Sequence, residues 1–201
     1  MTNDENIPPL VHITADPAKF TPLLGSGFLL GGAAGASMVA FLRDAAAIDA
    51  AYLAERVQTL FLDGRAVDDP DVAVVADGAV ISLSAAMPGL AGAVLRRSGR
   101  YAAMRRPISH ERAGEAAADR GRLITVTLKL FNLIAREIGP GFLAKGVLLD
   151  AAGLRDFLER QGKWLWSEGD RAAVADREIA PAEVTACLPV QGRVRLRVTP
   201  G

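Results

Sequence analysis

The chain is short of the residues from which most recognisable active sites are built. Cys187 is the one cysteine among 201 residues, which excludes an intrachain disulfide and a cysteine zinc site. A lone thiol between Ala186 and Leu188 is expected as a small core residue rather than a nucleophile. Histidine occurs twice, at His12 and His110, with no spaced acid beside either, so neither has the partner that acid–base catalysis needs. The net charge is +0 at pH 7, and no recognised nucleic-acid motif is present, which argues against a nucleic-acid partner. The opening residues, MTNDENIPPL, lack the basic stretch of a secretory signal, and the expected compartment is the cytoplasm. No motif calls for a metal or a cofactor, and none is expected.

What is present suffices for a core. Half of the residues are apolar, which argues against general disorder, and the length allows one large domain or two small ones. Charge is placed unevenly. Residues 1–92 carry 4 basic and 11 acidic side chains, residues 93–122 carry 8 and 3, and residues 123–201 carry 11 and 9. This asymmetry suggests a docking partner, within the chain or outside it, although a solvated surface accounts for it equally well. Phe20 to Leu42 holds no charged residue. Its length and the spacing of Gly27, Gly31 and Gly35 admit a membrane anchor over residues 20–42. Against that, Pro22 and the glycines break the run, which divides more naturally into a strand, a turn and an amphipathic helix.

Along the chain, Leu10 to Ala15 alternates as a strand, and Phe28 to Leu30 is a second. Ala36 to Ala46 places Met38, Phe41 and Leu42 on one helical face. Val57 to Leu62 is a third strand, closed by the Asp63-Gly64 turn, and Val80 to Leu83 is a fourth, entered through Asp77-Gly78. Between Ile108 and Leu123 no large apolar residue occurs, so the segment reads as an exposed connector. Beyond it, Leu123 to Phe131 is a strong strand. A short helix over Asn132 to Ile138 is expected to stop at Gly139-Pro140-Gly141. Gly146 to Leu149 is a short strand, and Asp150 caps a helix with Leu154, Phe157 and Leu158 on one face that ends at Gly162. The domains implied are 1–92, a basic connector 93–122, and 123–201.

The first half resembles the ubiquitin-like β-grasp family of the molybdopterin-synthase small subunit and the thiamine sulfur carrier. The resemblance spans about residues 10–90. It rests on the β-β-α-β-β order, the Gly-Ala-Ser before the helix, Leu62-Asp63-Gly64 with Val67, and Asp77-Gly78-Ala79-Val80 leading to Pro88-Gly89. The second half repeats the outline at offsets of about 114 to 116 residues and ends on a similar Gly-turn, strand and Pro-Gly. The expected fold class is therefore α+β, with one β-grasp unit and a second in tandem. A single α+β domain with a swapped or extended sheet is the alternative.

Two candidate sites follow. Arg96, Arg97, Arg100, Arg105 and Arg106 crowd together around Tyr101, and their guanidinium forks suit an acidic protein surface or a phosphorylated ligand. A solvated helix packed through Leu90, Val94, Tyr101 and Met104 explains the same residues. The resemblance implies a carrier carboxylate at a terminal glycine. Gly201 is that candidate, though Pro200 stiffens the tail; Gly89 and Gly92 serve only if the chain is cut after them. Gly25 to Ser37 has no GK[ST] ending and reads as a structural turn rather than a phosphate loop. On the last strand, Arg193, Arg195 and Arg197 share one face and Val194, Leu196 and Val198 the other. An exposed cationic face over a buried apolar one is expected. It could meet the acidic first half at Asp63, Asp68, Asp69, Asp71 and Asp77. The expected role is a non-catalytic interaction or assembly module with a protein partner or a second copy of itself; a sulfur carrier and a membrane-anchored protein are the alternatives.

Overall fold

Alternation builds the two central strands on which one half of the molecule rests. Val11 and Ile13 on β1 (Leu10–Thr14), and Val194, Leu196 and Val198 on β10 (Arg193–Thr199), are fully buried, while the residues between them face outward. The structure, a computed structural model, describes residues 7–85 and 121–201. These form an α+β protein that divides into two units: Met1–Phe28 with Arg136–Gly201, and Leu29–Ala135. The sequential division into 1–92, 93–122 and 123–201 runs across these units. All of the connector but Gly121 and Arg122 lies outside the described residues.

In the unit that holds both ends of the chain, the strand order is β7 (Val147–Asp150), β10, β1, β8 (Arg171–Val174), β9 (Arg177–Ile179). β1 and β10 pair in parallel, from Leu10 opposite Arg195 to Thr14 opposite Thr199. β7 flanks β10 and β8 flanks β1, both antiparallel, and β9 closes a hairpin on β8. Helix α4 (Ala151–Gln161) buries Leu154, Phe157 and Leu158. Phe157 and Trp166 each stand 6.0 Å from the ring of Phe20, which belongs to a 3-10 segment over Pro17–Gly25. Asp150 occupies the cap position of α4, as expected, but its side chain makes no capping bond; the Ala151 amide donates to the Gly192 carbonyl instead.

The other unit has the order β4 (Arg65–Ala66), β3 (Thr59–Leu62), β5 (Val80–Ser84), β6 (Leu123–Phe131), β2 (Phe28–Ala33). β5 and β6 pair in parallel from Val80 opposite Thr127, and β3 is antiparallel to both β5 and β4. Asp63 and Gly64 both take positive φ, 51° and 77°, the conformation that a two-residue hairpin turn between β3 and β4 requires. Helix α1 (Met38–Ala46) starts at Ser37, whose hydroxyl accepts the Ala40 amide, and buries Met38, Phe41, Leu42 and Ala46. Helix α2 (Ala50–Glu55), absent from the sequence reading, is capped by Asp49, which accepts the Tyr52 amide at 2.7 Å.

Two local expectations are corrected. Helix α3 (Asn132–Lys145) does not stop at Gly139 but runs through Pro140. Tertiary packing overrides the breaker. Gly139 lies so close to the Pro17–Gly25 segment that a Cβ there would stand 2.8 Å from Leu24 Cδ1, and Leu143 one turn later is fully buried. Residues 20–42 are divided among the 3-10 segment, β2 and α1, and among the described residues no helix is long and apolar enough to cross a membrane.

The same element order occurs twice. β1, β2, α1, β3, β4 and β5 correspond in turn to β6, β7, α4, β8, β9 and β10. The starts of β1 and β6, of α1 and α4, and of β5 and β10 are each 113 residues apart, and those of β3 and β8 and of β4 and β9 are 112 apart. Only β2 and β7 depart from this, at 119, because α3 is inserted before β7.

Gly32 on β2 faces the ring of Phe41, where a Cβ would come within 2.4 Å of Cε2. Gly32→Ala is therefore expected to lower stability by about 1–3 kcal/mol in urea unfolding. Together with Phe41→Leu it should cost less than the two changes separately; strict additivity would exclude the contact as the cause. A second expectation concerns fragments. Residues 1–92 alone lack β6, the parallel partner of β5, and should show no cooperative thermal unfolding until residues 121–201 are added. A cooperative transition in the isolated fragment would overturn this.

Candidate functional site

The outward side chains of β10 are Arg193, Arg195 and Arg197, all exposed. Residues two apart on a strand repeat about every 6.7 Å, so the three guanidinium groups form an evenly spaced row. In-register neighbours share this face. They are Leu10, His12 and Thr14 on β1, Leu148 on β7 and Arg171 on β8. The expected cationic face over an apolar one is thus present. Its internal bonds are few. Arg197 Nε donates to the Ala144 carbonyl at 3.1 Å, in the last turn of α3, where a cation is favoured by the helix dipole. His12 Nε2 and Thr199 Oγ1 are 3.0 Å apart. Among the described residues no carboxylate bonds Arg193 or Arg195, although Asp150 lies in register with Arg193.

Beside this row lies an open groove of about 930 Å³. Ile7, Pro8, Pro9, Leu148, Leu188 and Pro189 make much of its lining, and Cys187, Gln191 and Arg193 add polar groups. One wall is the stretch after α5 (Val184–Cys187), which has little regular structure of its own. Arg155 on α4 holds it. Its guanidinium donates to the carbonyls of Thr185, Leu188 and Pro189 at 3.0, 2.7 and 3.4 Å. Cys187 is exposed on this groove rather than buried, because Val184 and Leu188 take the core positions on either side of it.

The arginines singled out in the connector, Arg96, Arg97, Arg100, Arg105 and Arg106, lie outside the described residues, as do His110, Gly89 and Gly92. Gly201 stands two residues beyond β10 and against β1, where a Cβ would be 3.7 Å from Thr14 Cγ2. Three of the five acids considered for docking have local structural tasks. Asp63 accepts the Val80 amide, Asp69 the Asp71 amide and Asp77 the Thr125 amide, each completing a turn or strand end. A hydrogen bond from Arg43 holds the exposed Asp44 carboxyl below its usual range, but an adjacent surface pair of this kind contributes little. Among the described residues no group of histidine, cysteine and acidic side chains could hold a metal ion.

The groove was missed in the sequence because its lining comes from stretches far apart in the chain. The Pro8-Pro9 pair before an alternating strand, and Pro189 before the last one, were the signals that pointed to it. Comparison with protein-family models, curated proteins and solved structures finds no match for this chain.

If Arg155 holds the groove wall, Arg155→Met is expected to cost about 2 kcal/mol in urea unfolding, since it leaves carbonyls without a charged donor. Arg155→Lys should recover only part of this, because an ammonium lacks the planar fork that spans separate acceptors. Full recovery by lysine would assign the effect to charge alone.

Proposed function

We propose that this chain is a non-catalytic interaction or assembly module made of two β-grasp-like repeats. It meets a protein partner through the open face of the sheet that contains β10. The carrying observation is the row of exposed arginines on a strand whose other face is fully buried. A solvated strand needs no such uniform charge, and desolvated guanidinium forks are effective anchors for carboxylates.

The repeated element order and its near-constant spacing of 112 to 113 residues support a duplicated unit. In each unit two parallel strands lie between antiparallel neighbours. On this reading the repeats have exchanged their first strands. β1 is housed with β7 to β10, and β6 with the strands of the first repeat. The proposal thus combines the tandem repeat with the swapped sheet that stood as its alternative.

The test is affinity capture from the native cell with the full chain and with Arg195→Glu, at low and high salt. A partner retained by the native chain, released by salt and lost with the charge reversal is the expected result. Capture that is indifferent to both changes would sink the proposal.

A further inference from the structure

The groove and the arginine row form one continuous site. Arg193 lines the groove and begins the row, and Leu148, also in the groove lining, lies in register with Arg195. Taking the sheet face as an interaction surface, we infer that this site binds an extended acidic peptide segment. An apolar side chain at one end of the segment enters the groove, and carboxylates at alternate positions meet the arginines of β10.

The chemistry of the site selects this occupant. A concave, largely apolar space of about 930 Å³ with a few polar groups has the form of a binding pocket, and Arg155 fixes one of its walls. An extended peptide repeats its same-side residues at the period of the strand beneath it, so Glu-x-Glu matches Arg193, Arg195 and Arg197 position for position. Guanidinium forks bind carboxylates in bidentate fashion. Arg195 is the central anchor. Arg193 shares its surroundings with Asp150, which lies opposite it across the β7–β10 pair, and Arg197 already bonds Ala144. At the far edge Glu178, in register with Ala173 on β8, opposes an acidic ligand and confines it to the β10 side. Leu10, His12 and Thr14 beside the arginines offer no aromatic platform for stacked bases, so a single-stranded nucleic acid fits less well.

The test uses the full chain and a fluorescein-labelled peptide, Leu-Leu-Gly-Glu-Val-Glu-Val-Glu, read by fluorescence anisotropy. Saturable binding is expected, weakened by raised salt and by about tenfold or more in Arg195→Glu and Arg195→Gln. A peptide with lysine in place of glutamate should not bind. Cys187 provides an independent arm: a bulky maleimide on this single thiol fills the groove without changing the arginine row. It should weaken binding by a similar factor. Circular dichroism checks that the altered chains remain folded, and Arg195→Gln keeps the test decisive if the charge reversal does not fold. No saturation at millimolar peptide, or equal binding by both Arg195 variants, overturns the inference. If the arginine variants lose binding while the maleimide-modified chain retains it, the groove has no part and the inference falls, but the arginine face stands as an interaction surface. If only a chain lacking residues 1–6 binds the probe, the occupant is the chain's own acidic start and the inference is likewise overturned.

Discussion

Pairing between strands that are distant in sequence holds this protein together. β1 has only Leu10–Thr14 to offer, yet it lies between β10 and β8, more than 150 residues further on. The same is true of β5 and β6, neighbours in a parallel pair whose chain connection is long. Parallel neighbours cannot be joined by a tight turn, so both pairs depend on a crossover. Everything else is arranged around these two pairs, including the antiparallel flanks, the helices that cover their apolar faces and the short outer strands β4 and β9. Those outer strands are two and three residues long, which leaves little backbone edge for unwanted pairing.

One strand supplies both stability and the candidate site. On β10, Val194, Leu196 and Val198 belong to the core, and the intervening arginines form the exposed row. Because the inner residues lock the backbone, the outer ones are held at a fixed spacing, and a ligand need not organise them. The adjoining groove is less regular and depends on Arg155 to bond the carbonyls of its wall. A rigid row beside a wall tied down by one side chain separates two tasks, charge recognition and apolar anchoring.

Much of the local structure was legible. The alternation of LITVTLKLF gave β6 its limits, Asp63-Gly64 gave the hairpin, and the spacing of Leu154, Phe157 and Leu158 gave the buried face of α4. What could not be read was non-local. Nothing in LVHIT names its partner strands. Gly139-Pro140-Gly141 reads as a stop until the closeness of Leu24 is known. The turn between β8 and β9 uses Ala175 and Asp176 at positive φ, 48° and 66°, and so carries no glycine signal. The arginine row was visible because it follows the period of a single strand. The groove was invisible because it is assembled from both ends of the chain and the strands between them.

The position of β1 also bears on the order in which the chain can acquire structure during synthesis. Val11 and Ile13 leave the ribosome early, but the strand they belong to has no neighbour until Arg171–Val174 and then Arg193–Thr199 have been made. Until then an apolar strand stands without its sheet. Contacts of such long sequence separation slow folding and prolong the exposure of strand edges. The nascent chain must therefore keep one of its most buried segments waiting for one of the last, which makes this unit a natural client for whatever shields emerging chains in the cell.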